Sequence, residues 1–275
     1  MKTYKVKIEK IFKVNATMGE ALEKLTGLKK EILVEACDKG AVWLQKGSKG
    51  KILRERSLST VLTPQDTISL YYDPKVLRLP SVTKGECLYE NKNYGIWIKE
   101  AGIVPQGTQA GDHASLLRYI EIKKKHEVFL VHRLDRETAG VMIFAYNTKA
   151  AGLISDLFQK NLIHKEYEAV VLGSMKPGLK ETIQASLDDK TAITHYEVLE
   201  SNVERSLLKV HIETGRLHQI RRHLDSIHHP VMGDPKYGRG NKNKDGLQLI
   251  AKLLSFEDPW ENKAKTWTYP GKLNL

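Results

Sequence analysis

Three stretches concentrate ionisable side chains where a simple turn or a solvated helix face would not require them. HRLDRETAG (132–140) sets His132, Arg133, Asp135, Arg136 and Glu137 between two apolar runs, Val128–Val131 and Val141–Ala145. A turn between strands is usually made from Gly or Asn. HKEYEAVVLG (164–173) carries Lys165 and Tyr167, and TGRLHQIRRHLDSIHHPVMGDPKYG (214–238) carries Arg216, Arg221 and Arg222 ahead of a loop rich in His, Gly and Pro. Asp135 and Glu137 are carboxylates of the kind that glycosidic-bond chemistry uses in pairs. Each group also has a plain structural use. Asp135 can accept in a turn, Tyr167 can be a core ring with its hydroxyl at the edge, and Arg221 can sit on a solvated face. Arg221 fits that use least. It follows Ile220 and lies four positions from Leu217, beside the apolar stripe Leu217, Ile220, Leu224 and Ile227. A guanidinium there needs an anionic partner.

Metal and cofactor chemistry lack support. His218 and His223 are five apart, which turns them away from each other on a helix, and there is no HExxH and no HxE with PCxxC. Neither GxxxxGK[ST] nor a strand-linked GxGxxG is present. The two cysteines, Cys37 and Cys87, lie far apart without CxxC spacing, so reduced thiols of a cytoplasmic protein are expected. The opening MKTYKVKIEKIFKV has no apolar core of a signal peptide, and no run reaches the length of a membrane span. A net charge of +11 favours a polyanionic partner, nucleic acid being the usual one.

These groups need elements to position them. Residues 3–14 alternate as a half-exposed strand, and Ala21, Leu22, Leu25 and Leu28 recur at helical spacing. A second short helix turns Ile32, Leu33 and Ala36 inward. KGAVWLQKG and LTPQDTISLYY read as strands. Residues 1–72 therefore form a small α+β unit, 73–82 a proline-containing linker, and 83–275 a strand-rich domain. In that domain CLYENKNYGIWIKEAG reads as a hairpin closing on Gly95, and Thr148 caps a helix with Leu153, Ile154, Leu157, Phe158 and Leu162 on one face. Strands broken by only one or two helices predict a mixed, largely antiparallel sheet, and an α+β class overall.

HRLDRETAG resembles the HRLDxxTSG signature of the RluA family of pseudouridine synthases. Further blocks agree in order and spacing from about residue 86 to 259. ENKNYGIWIKEAGIVPQG is similar to the family's opening strand pair with its KPxG-type turn. HKEYEAVVLG resembles KxYxAxVxG, and THYEVLE resembles TxYxVL. The 214–238 block is similar to TGRxHQIRxHLxxxGHPxxGDxxYG, and LQLIAKLLSFEDP to LxLHAxxLxFxHP. The departures are Ala139 for serine, Glu100 for proline, His228 for a common glycine and Ile250 for a frequent histidine. The first 72 residues resemble, more loosely, an S4-type RNA-binding domain.

The resemblance implies a fold of the pseudouridine synthase type and an enzyme that isomerises uridines of ribosomal or transfer RNA without a cofactor or a metal. It implies Asp135 as the essential carboxylate, acting on C1′ or on the C2′ proton. Arg221 would keep Asp135 ionised. Tyr167 would stack on the target base and is a candidate for transfer of the C5 proton. Arg133 would hold the RNA open around the flipped nucleotide, His132 and Thr138 would shape the turn, and Leu249 would line the uracil pocket. Lys99, Arg239, Lys242 and Lys244 are either phosphate contacts or solvated loop charges. A monomer is expected. The alternatives are an RNA-binding protein of the same fold that has lost catalysis, and a nucleosidase with paired carboxylates.

Overall fold

The structure is a computed structural model that describes residues 16–242 and 244–275, and residues 4–8 by their backbone. The chain divides into two compact units, residues 1–83 with 106–119, and residues 84–105 with 120–275.

In the small unit, β1 (Tyr4–Ile8) is the described part of the expected opening strand; residues 3 and 9–14 of that strand lie outside the described residues. Helix α1 (Met18–Thr26) starts at a capping box, in which Thr17 and Glu20 satisfy each other's backbone N–H groups. Helix α2 (Lys30–Asp38) follows. Strands β2 (Val42–Gln45), β3 (Ile52–Arg54) and β4 (Thr67–Tyr72) complete an antiparallel sheet in the order β1-β4-β2-β3. Met18, Leu22, Leu33 and Ala36 from the helices meet Val42, Ile68 and Leu70 from the sheet in one buried core. The stretch read as a linker contains a one-turn helix, α3 (Pro74–Leu77). The Asp73 side chain caps it, and proline at the first helical position loses no hydrogen bond. The unit also takes in 106–119, where Trp43 Nε1 donates to the Gln109 carbonyl at 2.9 Å and Arg56 to Asp112 Oδ2 at 2.6 Å.

The large unit is built on a sheet. Its elements are β5 (Cys87–Glu90), β6 (Tyr94–Lys99), the end of α4 (Leu116–Lys124), β7 (Phe129–Leu130), β8 (Ala139–Ala145), α5 (Thr148–Gln159), β9 (His164–Leu172), β10 (Lys180–Gln184), β11 (Ile193–Ser201), β12 (Arg205–Ile212), α6 (Gln219–Ser226), β13 (Leu249–Asp258) and β14 (Lys263–Thr268). The order is β10-β11-β12-β9-β13-β8-β6-β5, with β14 on β13 and β7 on β8. Only β13 and β8 run parallel among the described pairs, so the sheet is mixed and largely antiparallel, as the strand pattern predicts.

Several local expectations change. The β5–β6 hairpin closes on Asn91–Asn93, where Asn91 Oδ1 accepts from the N–H groups of Asn93 and Tyr94. Gly95 lies inside β6, and a Cβ there would meet the Tyr146 hydroxyl at 2.0 Å. Asn147, not Thr148, caps α5, through its Oδ1 and the Ala150 N–H. Of the residues expected on one face of α5, Ile154 is buried and Leu153 is exposed. Leu162 lies beyond the helix and is also exposed. Helix α6 begins at Gln219, so Leu217 precedes it and is 55% exposed, outside the buried stripe.

Candidate active site

Asp135 sits on the loop between β7 and β8, and the loop is fastened at several points. Leu134 and Thr138 are buried, and the Thr138 N–H donates to the Asp135 carbonyl at 3.2 Å. His132 Nε2 accepts from the Ile143 N–H of β8 at 3.0 Å, and its ring stacks on Phe158 of α5 at 4.6 Å. Burial, helped by the nearby Lys165 charge, pushes the His132 pKa down to about 3, so it is a neutral anchor. Gly140 ends the turn with φ +137°. A Cβ there would meet the Ala251 carbonyl oxygen at 2.3 Å, so the parallel pairing of β8 with β13 beside the loop requires glycine.

Lys99 fastens the loop from below. Its side chain is fully buried, and Nζ donates to the carbonyls of Glu100, Ile103 and Arg136 at 3.1, 2.9 and 3.0 Å. Burial lowers its pKa to about 7, against the pull of Glu137 and Asp135. Its three donors are spent on protein carbonyls, unlike those of a solvated loop charge. Arg136 adds a second tie, from Nε to the Gly102 carbonyl at 3.0 Å.

Helix α6 brings Arg221 opposite Asp135. The Gln219 side chain fixes the start of the helix, accepting from the Thr214 hydroxyl and the Arg216 N–H and donating to the Ile193 carbonyl and the Thr194 hydroxyl. Arg221 is buried and divides its guanidinium between two carboxylates. Nε and Nη2 donate to Asp234 at 2.7 and 2.8 Å, and Nη1 donates to Asp135 Oδ2 at 3.0 Å. Burial disfavours that charge, but the bonds to Asp234 and Asp135 override it and hold the group above its ordinary pKa. The Asp234 carboxyl, also desolvated, is held below the usual range by Arg221 and by the N–H groups of Lys236 and Tyr237.

A cavity of about 470 Å³ opens at this point, large enough for a nucleotide. Asp135, Arg221, Tyr167, Leu249, Arg133 and His218 all line it. Tyr167 comes from β9, where it pairs with Ala251 of β13 and Val210 of β12. Burial, then the Asp135 charge, raises its phenol well above the ordinary pKa. Leu249, Thr138 and His132 line it too, the first two buried, and Arg133 is an exposed member of the lining. Glu137, Arg239, Lys242 and Lys244 do not line it.

Three further groups at or beside the cavity were given no role from the sequence. Asp234 braces Arg221. His218 faces Asp135, with Nε2 3.8 Å from Oδ2. Lys165 lines the cavity with its pKa lowered by burial. All three lie within stretches that the sequence marks, and their geometry arises from closures between distant elements.

Residues 93–226 match the RNA pseudouridylate synthase family. An uncharacterized RNA pseudouridine synthase of Mycoplasma genitalium is 32% identical over 209 residues, 70% of this chain and 68% of the relative. The chain belongs to the RNA pseudouridine synthase family. Ribosomal large subunit pseudouridine synthase D of Vibrio cholerae is 37% identical over 155 residues, spanning 52% of this chain and 48% of that enzyme. In shape, human RNA pseudouridylate synthase domain containing 1 superposes with a TM-score of 0.59 at 21% identity, over 70% of this chain and 85% of its own. That likeness shows the shared fold. The RluA-type resemblance of the motifs therefore stands, and the isomerisation of uridine in RNA is the family's reaction.

Proposed function

We propose that this synthase converts a uridine of large-subunit ribosomal RNA to pseudouridine, with Asp135 as the reacting carboxylate. The observation that carries the reading is the pairing of Asp135 with the buried Arg221 at the wall of a nucleotide-sized cavity. The reaction breaks N1–C1′, turns the freed base and rejoins it through C5, and the C5 proton leaves. Asp135 attacks C1′ or removes the C2′ proton, and both routes need it ionised beside the ribose. Arg221 sets a cation beside that carboxylate, donating to Oδ2 at 3.0 Å. A uridine in a helix cannot reach a cavity of this kind, so it must flip out, at a cost of a few kcal/mol. Arg133, exposed and lining the cavity, would fill the opened stack. Leu249 and Tyr167 offer apolar and aromatic surface to the base. The raised pKa of Tyr167 favours a stacking ring over a proton acceptor at neutral pH.

Relatives named for the ribosomal large subunit support that substrate class. The net charge of +11 suits a polyanion, and binding should weaken steeply with salt. A nucleosidase with paired carboxylates is disfavoured, because Glu137 does not line the cavity and Asp234 is buried behind Arg221. The S4-like reading of the small unit makes it a second RNA contact under this proposal. Carbodiimide modification and primer extension on ribosomal and transfer RNA, from cells with and without the chain, tests the assignment. One large-subunit position should lose its pseudouridine. A loss confined to transfer RNA, or no loss, overturns it.

A further inference from the structure

Asp234 and Tyr237 lie three residues apart on one turn after α6, and each grips a group that faces Asp135. Asp234 is fully desolvated and takes two of the Arg221 donors, which leaves Nη1 aimed at Asp135 Oδ2. Tyr237 lies with its hydroxyl 3.1 Å from His218 Nδ1, its ring edge-on to the imidazole at 84°. The same ring covers the Arg221 guanidinium at 5.3 Å. His218 is held with φ +52°, an unusual backbone for a residue with a side chain, and its Nε2 faces the same Oδ2 at 3.8 Å. Both groups therefore converge on one carboxylate oxygen. Oδ1 of Asp135 has no protein partner among the described residues.

We infer that the Asp234–Tyr237 turn is a positioning device for the reaction. It sets Arg221 and His218 against Oδ2 of Asp135 and leaves Oδ1 as the oxygen that meets the ribose. Neither Asp234 nor Tyr237 touches substrate; they act through Arg221 and His218. The alternative is that the turn only closes the fold. Asp234→Asn keeps an acceptor for the two backbone N–H groups of Lys236 and Tyr237 but removes the negative charge that faces Arg221. Tyr237→Phe removes only the hydroxyl that holds His218.

The inference rests on Asp135 being the reacting carboxylate, so the experiment carries Asp135→Asn as its reference. Pseudouridine formation is measured on a ribosomal RNA transcript, with kcat and KM separated and each variant assayed at a temperature where it is folded. The expected result is a fall in kcat of about tenfold for Tyr237→Phe and about a hundredfold for Asp234→Asn, with KM within threefold of wild type in both. If Tyr237→Phe keeps the wild-type kcat, or if Asp234→Asn loses activity only in proportion to its unfolded fraction, the positioning role is wrong. If Asp135→Asn retains activity, the reading beneath it fails instead. Because Tyr237→Phe removes no buried charge, it tests the inference even if Asp234→Asn does not fold.

Discussion

Two turns of the large unit each present an aspartate to Arg221, and they do so differently. On the 233–237 turn Asp234 is sealed from solvent, and its oxygens are taken by the guanidinium and two backbone N–H groups. On the 131–138 turn Asp135 lines the cavity, keeps 18% of its side chain exposed and accepts one bond, at Oδ2, from Arg221. Both are anions beside the same cation. Unspent hydrogen-bonding capacity and access distinguish the carboxylate available for reaction from the one that braces the site. An enzyme that must keep a nucleophile or base ionised in a partly dry cavity gains from this division, because the brace can be buried while the reacting group stays reachable.

The sharpest break between the turns is in activity. Asp135→Asn should reduce pseudouridine formation by at least about 1,000-fold while leaving the urea midpoint within experimental scatter, since Arg221 keeps Asp234. Asp234→Asn should be felt in the fold as well as in kcat. Stranding part of a buried guanidinium costs about 3 kcal/mol, read as a lower urea midpoint at unchanged slope. Equal stability losses for the two variants would abolish the distinction.

Lys99 belongs to the first turn alone, and its pKa near 7 gives a pH test. Below pH 7 the amine is protonated in both folded and unfolded chains. Between about 7 and 10.5 the folded chain releases its proton first, so the unfolded state binds more protons and this group's contribution to stability rises with pH. The stability of wild type relative to Lys99→Met should therefore climb across that window and stay flat below it. A difference that falls with pH would contradict the buried ammonium. The smallest effect is expected at Tyr167→Phe. A stacking ring keeps its function without the hydroxyl, so the rate should drop by less than about tenfold, whereas loss of an essential proton transfer removes about 100-fold or more.

Much of this contrast was legible in the sequence on one side only. The charge density of HRLDRETAG marks the Asp135 turn, and Arg221 beside Ile220 signals a need for an anion. Which anion meets it is set by a closure across 86 residues for Asp135, a pairing that local spacing cannot encode. Asp234 reads locally as a loop residue in a Gly–Asp–Pro turn, and its role emerges only when that turn folds back onto α6. Lys99 reads as a surface cation because nothing in its neighbourhood announces three converging carbonyls. The stripe that made Arg221 conspicuous was itself partly misplaced, since Leu217 precedes α6 and is exposed. Ile220 and Leu224 were enough to bury the guanidinium. The mixed sheet was predictable from strand alternation, whereas the short β3 and the edge strands β10 and β14 carry weaker patterns.

The central claim is that Asp135 does the chemistry. Isomerisation expels the C5 hydrogen, so ribosomal RNA carrying uridine tritiated at C5 releases tritium to water as pseudouridine forms. Wild type and Asp135→Asn would be compared on that RNA at equal concentration of folded, RNA-bound protein. Release by wild type with none above background for Asp135→Asn is the predicted result. Release by Asp135→Asn at a rate near wild type would contradict the assignment of Asp135 and return the search to the other groups of the cavity.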